Sequence, residues 1–170
     1  MKNIIRKKLL KKRKKKYLEI SSNHISDIFE LIKKKHKNSK LIGGYIPIKY
    51  EYDCLSILKF LEKKNYIIGL PIIKNNLAMD FYKYSFKDPL KLNKLGIPEP
   101  VNSSKKIVPD LIFVPLVGYD NHLNRLGYGG GFYDRYFEKN LRLKKIYKIG
   151  LAFSFQKIKK LPVNSFDKKL

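Results

Sequence analysis

The sequence predicts an α/β domain built on a largely parallel or mixed sheet, and three observations carry that prediction. Residues 110–117 (DLIFVPLV) form a near-continuous apolar run, as expected of a strand covered on both faces. Strand-like runs alternate with segments of helical periodicity along the chain, the order that places helices against a sheet. Neither an internal repeat nor a composition break divides the 170 residues, so residues 1–170 read as one domain.

The elements follow in order. Residues 2–17 are lysine-rich with Ile4, Ile5, Leu9 and Leu10 near helical spacing, which predicts a basic amphipathic helix. Ser21 or Ser22 caps a second helix whose buried face holds Ile25, Ile28, Phe29, Leu31 and Ile32. Residues 40–48 (KLIGGYIPI) read as a strand running into a loop, with Gly43 and Gly44 admitting a close approach. Asp53 caps a helix reaching to about Lys64, buried through Leu55, Ile57, Leu58 and Leu61. Residues 66–73 and 77–84 predict a hairpin. Residues 86–109, rich in Pro, Lys and Ser, read as a long surface loop, and such loops are usually functional. After the 110–117 strand come a glycine-rich loop, a helix over residues 132–139 and a strand over 145–155.

Composition excludes several classes. No apolar run approaches the roughly 18 residues that cross a bilayer, and the basic amino terminus lacks the apolar stretch of a secretory signal. A single cysteine, Cys54, excludes an intrachain disulfide and fits a reducing cytoplasm. His24, His36 and His122 are too scattered for a metal cluster. The net charge of +24 permits phosphate contacts. Yet the lysines run from end to end among abundant Ile, Asn and Tyr, so we read most of the charge as compositional. The basic amino-terminal helix retains a capacity for weak, non-specific contact with nucleic acid. No aromatic and basic interleaving of the kind that RNA-binding sheets carry is present.

The informative segment is GYDNHLNRLGYGGGFYDRYF, residues 118–137. Between a buried strand and a helix, Gly127, Gly129, Gly130 and Gly131 remove Cβ atoms, so backbone N–H groups can close around an anion. The following helix points its positive end at the same place, and Arg125 adds a planar, permanent cation suited to phosphate. No Gly-Lys-Ser/Thr ends the loop, so it is not a P-loop, and no suitably placed acidic partner makes it a dinucleotide fingerprint.

With its leading aspartate strand, Tyr119-Asp120, Arg125 and Tyr133-Asp134, this string strongly resembles the signature of the 5-formyltetrahydrofolate cyclo-ligase family, also called methenyltetrahydrofolate synthetases. The likeness extends to Lys2 and Arg6, to Glu51 after GGYIPIKY, to Gly96-Ile97-Pro98-Glu99-Pro100, and to Leu161-Pro162-Val163-Asn164 with Asp167. Three departures stand out: Leu123 where the family usually has glycine, Phe166 where histidine is common, and an end at Leu170 where relatives continue briefly.

The resemblance implies a three-layer α/β/α domain with a mixed, largely parallel central sheet, as in CoA-transferase-like folds. It implies ATP as co-substrate, Mg²⁺, and 5-formyltetrahydrofolate as the small-molecule partner, with no membrane. Arg125 is the expected catalytic residue, facing the transferred phosphate. ATP is expected on Lys2, Asn3, Ile4, Ile5 and Arg6 and on Arg125, Leu126, Gly127, Tyr128, Gly129, Gly130, Gly131, Phe132 and Tyr133. The folate is expected beside Glu51, against Tyr45, Ile46, Met79, Tyr128 and Phe132. Mg²⁺ is expected on Asp134 and Asp167. A member of the family that binds nucleotide or folate without turnover, and a basic nucleic-acid-binding module, are the alternatives.

Overall fold

The buried run is β7 (Leu111–Pro115), one strand in from the edge of a six-stranded sheet. The structure, a computed structural model, describes residues 1–17, 22–74, 78–101 and 105–170. With β1 (Leu41–Gly43), β2 (Ile67–Ile73), β3 (Met79–Tyr84), β6 (Lys106–Ile107) and β10 (Tyr147–Leu151), the strand order is β10-β7-β1-β2-β3-β6. The first four strands in that order are parallel, and β3 and β6 are antiparallel, so the sheet is mixed and mostly parallel.

Alternation along each strand separates the two faces. Leu111 and Phe113 join Ile42, Ile68 and Leu70 beneath α2 (Ser22–Lys35) and α3 (Cys54–Lys63), which contribute Ile32, Ile57, Leu58 and Leu61. Ile112 and Val114 point the other way and meet Met79, Phe81 and, from α4 (Phe132–Asn140), Tyr136 and Phe137. Helices therefore cover both faces, giving the three layers expected. Each fully buried Leu, Ile or Phe contributes about 1.5–3 kcal/mol, so these two clusters are the main source of stability.

Local chemistry sets the element ends. Asp53 caps α3, accepting from the Ser56 backbone N–H at 3.2 Å. The 66–84 hairpin forms as β2 and β3, although its turn, with Leu77, lies outside the described residues. What approaches Gly44 is the core itself, because a Cβ there would lie 2.5 Å from the Leu58 side chain. Ser21, one of the two expected caps of α2, also lies outside the described residues, and α2 starts at Ser22.

Two expectations need correction. The described part of 86–109 is not a plain loop: β4 (Leu90–Leu92) pairs with β5 (Pro98–Pro100), and β6 adds the sheet edge. The Asn93 side chain closes the β4–β5 turn by accepting from the N–H groups of Leu95 (2.9 Å) and Ile97 (3.1 Å). Prolines are tolerated in so short a ribbon, and they hid it from periodicity. The strand expected over 145–155 ends at Leu151, followed by a 3₁₀ turn (Ser154–Gln156). Buried Gln156 forces that turn, because its side chain donates to the carbonyls of Leu116 (2.9 Å) and Val117 (3.1 Å).

The amino-terminal helix α1 (Lys2–Lys15) lies beyond the sheet on a third cluster, where Leu9 meets Val117, Leu126 and Leu161. A short ribbon of β8 (Gly118–Tyr119) and β9 (Arg125–Leu126) leads into the glycine loop. Within the turn of that ribbon, Leu123 adopts φ 62°, the left-handed conformation for which glycine is suited, while its side chain is 56% exposed. Leu123→Gly should therefore raise unfolding stability by about 0.5–1 kcal/mol, relief of left-handed strain outweighing the added chain entropy. Urea melts check this, and a destabilised variant would show that the turn carries no strain.

Candidate active site

A pocket of about 1010 Å³ opens where the parallel strands end, with Pro115 of β7, Ile73 of β2 and the Tyr45-Ile46 segment beyond β1 in its wall. Sites in open α/β sheets form at the carboxyl ends of such strands. The glycine loop forms a second wall, and the amino-terminal turns of α1 form a third.

Asp120 fixes the loop's approach. Its carboxylate, 2% exposed, accepts from the N–H groups of His122 (2.9 Å), Asn124 (3.1 Å) and Leu161 (3.0 Å) and from the Asn124 amide at 3.0 Å. Burial alone would raise its pKa, but these donors outweigh it and hold the carboxyl at about 2. It is thus an anion committed to structure.

From that turn, β9 delivers Arg125, whose guanidinium pairs with Asp134 of α4 at 2.7 Å and lies 5.9 Å above the Phe137 ring. Its side chain is only 6% exposed, so this arginine sits on a strand with its side chain largely covered. Asp134 also accepts from the Lys168 N–H at 2.9 Å. Gly129 stands at φ 105°, and Gly131, the residue before α4, has φ 66° and supplies no side-chain cap, so the first N–H groups of α4 open toward the loop. Arg6 covers the loop from α1, its Nε donating to the Gly127 carbonyl at 2.7 Å. Lys2 reaches Asp167 at 2.5 Å, and Asp167 accepts from the Asn164 N–H at 2.7 Å.

At the other end, Glu51 is 4% exposed and accepts from the Ile48 N–H at 2.9 Å. Burial pushes its pKa up to about 7, against the opposing pull of the Ile48 N–H, the Arg13 guanidinium and the Tyr128 hydroxyl. Arg13, 1% exposed, donates to that hydroxyl and to the carbonyl of Lys49 at 3.0 Å. Tyr45 is buried nearby, its hydroxyl donating to the Tyr52 carbonyl at 2.9 Å.

The model of the 5-formyltetrahydrofolate cyclo-ligase family matches residues 1–170. The chain belongs to this family. Among proteins of that name, the one from Haemophilus influenzae is 33% identical over 141 residues, 78% of this chain and 74% of the relative. The one from Mycoplasma genitalium is 32% identical over 162 residues, 91% of this chain and 86% of the relative. The fold matches two solved 5,10-methenyltetrahydrofolate synthetases. The Aquifex aeolicus protein gives a TM-score of 0.75 at 31% identity, covering 99% of this chain and 86% of that one. The Mycoplasma pneumoniae protein gives 0.69 at 26%, covering 99% and 94%.

Measured against the cyclo-ligase expectation, the pocket wall holds Lys2, Arg6, Tyr45, Ile46, Glu51, Met79, Arg125, Asp134, Asp167 and every residue from Leu126 to Tyr133. Asn3, Ile4 and Ile5 are not in it. Ile4 is 74% exposed, Ile5 packs on the Leu9 cluster, and Asn3 accepts from Arg6, steadying that cation. The sequence reading missed Arg13, lost among lysines, although Ile5, Leu9 and Arg13 share a face at four-residue spacing. It also missed Leu95, Ile97 and Phe166, which the β4–β5 ribbon and the carboxyl-terminal segment bring to the rim.

The donor set fits Mg²⁺. Asp134, Asp167 and Glu138 offer only hard oxygens, and among the described residues no group of three His, Cys, Asp or Glu side chains closes on one point. Oxygen donors are the ligand type that Mg²⁺ takes.

The raised pKa of Glu51 has a stability consequence. Folded Glu51 holds its proton up to about pH 7, against an ordinary value of 4.5, so its contribution falls as pH rises from 4.5 through 7. Wild type should lose roughly 2–3 kcal/mol relative to Glu51→Gln between pH 5 and pH 8. Denaturant melts at both pH values check this, and a pH-independent difference between the two proteins would count against it.

Proposed function

We propose that the chain catalyses the ATP- and Mg²⁺-dependent cyclisation of 5-formyltetrahydrofolate to 5,10-methenyltetrahydrofolate, with release of ADP and phosphate. One observation carries the reading: a single pocket joins an anion-binding glycine loop, flanked by Arg6 and Arg125, to an apolar end beside a buried carboxyl, Glu51. Phosphate and a flat heterocycle would then meet within it.

The chemistry requires little covalent help from protein. The formyl oxygen attacks the γ-phosphorus of ATP, the bond to ADP breaks with its electron pair on ADP, and the N5 lone pair forms an iminium. N10 then attacks the formyl carbon and loses its proton, and the C–O bond breaks with its pair on the departing phosphate. Such transfers depend on positioning and on neutralising charge. Arg125, held by Asp134, faces the transferred group. Loop amides between Gly127 and Gly131 hold phosphate oxygens, and Lys2 and Arg6 hold the nucleotide from α1. Asp134 and Asp167 would hold Mg²⁺, which when bound neutralises phosphate charge. Tyr45, Ile46, Met79, Tyr128 and Phe132 take the pterin face, and Glu51 accepts its ring N–H groups or, once protonated, donates.

Two variants test the assignment. Arg125→Ala should lower turnover by about 10² or more, since the charge it faces grows during transfer. It should also cost about 1–2 kcal/mol of stability, because Asp134 loses its cation and keeps only the Lys168 N–H. Methenyl-folate absorbance at saturating ATP reads the first effect, and unchanged turnover removes Arg125 from the mechanism. Gly129→Val should abolish nucleotide binding, because a β-branched residue resists φ 105° and would crowd Arg6, whose guanidinium is already 3.5 Å from where a Cβ would sit. Wild-type ATP affinity by calorimetry in a folded variant would refute the cradle.

A further inference from the structure

Residues 48–51 turn through two left-handed residues, Lys49 at φ 47° and Tyr50 at φ 63°. The Glu51 N–H donates back to the Ile48 carbonyl at 3.0 Å, and two positive φ values in such a turn are the pattern of type I′, which glycine and asparagine favour. Neither central residue is glycine, and a bulky tyrosine in that conformation is strained. Strain of this kind persists only where the surroundings hold it, and it gathers at functional sites. Ile48, Lys49 and Glu51 belong to the pocket wall, while Tyr50 lies outside it and is 46% exposed.

Arg13 of α1 is what holds the turn. Its Nε donates to the Lys49 carbonyl at 3.0 Å, one Nη donates to the Leu116 carbonyl just beyond β7 at 3.3 Å, and the other donates to the Tyr128 hydroxyl in the glycine loop. The side chain is 1% exposed, so water does not compete for these donors. The same Tyr128 hydroxyl hydrogen-bonds the Glu51 carboxyl, and the Lys49 ammonium lies 5.8 Å from the Tyr128 ring. One guanidinium therefore ties together the strained turn, the end of β7 and the loop, without itself lining the pocket.

We propose that Arg13 is the positioning residue of the folate end, fixing the strained 48–51 turn and the Tyr128 ring as one unit so that Glu51 and Tyr128 meet the pterin already in place. This rests on the function proposed above and adds to it a residue that touches no ligand. The ordering of the turn is then complete before the folate arrives, which places the effect in affinity for the folate. Lys2, Arg6 and Arg125 have anchors of their own in Asp167, the Gly127 carbonyl and Asp134, so the nucleotide end does not depend on Arg13.

Arg13→Lys keeps the charge and loses the fork. In the full chain the KM for 5-formyltetrahydrofolate should rise about tenfold, while the KM for ATP changes less than about threefold. Tyr50→Gly, added to that variant, relieves left-handed strain outside the pocket wall and should lower the folate KM again by at least about threefold. An arginine that merely supported the core would shift the melting midpoint without splitting the two KM values. An unchanged folate KM, an ATP KM raised as far as the folate KM, or a double variant no better than Arg13→Lys would each overturn the proposal. Should Arg13→Lys fail to fold, Tyr128→Phe takes its place, removing the hydroxyl that links Arg13 to Glu51 and leaving the ring. A folate KM raised at least about threefold then upholds the proposal, and an unchanged one ends it. Calorimetry with 5-formyltetrahydrofolate in the absence of ATP separates this proposal from the function reading. Wild type that binds the folate without turnover refutes the catalytic reading alone, and the same fold-changes are then read in folate affinity. Wild type that does neither ends both.

Discussion

The carboxylate of Asp120 touches no wall of the pocket, yet it collects donors from three places at once: the turn at His122, Asn124 just before β9, and the carboxyl-terminal segment at Leu161. An anion with a pKa near 2 cannot release these donors at neutral pH without exposing buried charge. The register of β9 therefore follows from it, and with that register the inward direction of Arg125. The path of residues 161–167 follows too, and that path brings Asp167 to Lys2. The side chains proposed to meet ligand are thus placed by a residue outside the pocket wall, as a mechanism that depends on preorganised positions would require.

Much of this was legible in the sequence because it obeys local rules. The apolar run of β7, the helical spacing of α3 with its Asp53 cap, and the β2–β3 hairpin each announce themselves within about ten residues. The glycine loop was legible through the absence of side chains, and the anion-binding role proposed for it rests on backbone alone. Family resemblance supplied the three-layer arrangement and the roles of Lys2, Arg6 and Glu51, which no periodicity would have shown. What escaped depends on distant partners. Arg13 looks like one more cation until Tyr128 and Lys49 are folded against it. The β4–β5 ribbon escaped because prolines sit at both ends of β5. The pairing of Arg125 with Asp134 and of Lys2 with Asp167 escaped for a different reason. Each residue was assigned to a ligand, and the fold shows that each first answers to another side chain.

A chain of such high positive charge fixes only a few of its cations beside the pocket. The exposed lysines of α1 face solvent, where charges are screened and contribute little. Three cations are given a fixed direction: Arg6 by the Gly127 carbonyl and Asn3, Arg125 by Asp134, Arg13 by two backbone carbonyls. Arginine holds all three places, and its planar fork explains why. One edge can be anchored to protein while another stays directed at a neighbour or a ligand, which a lysine ammonium on a flexible stem does not achieve.

The contact between Lys2 and Asp167 joins residues 165 positions apart, at the mouth of the pocket. Synthesis proceeds from one to the other, so a growing chain has made its helix α1, its sheet and its glycine loop before the last wall exists. Until residue 167 has been made and has folded back, Lys2 lacks this carboxylate. The pocket's last wall is therefore the last part of the chain to be made, and the enclosure is completed only when both ends of the polypeptide meet.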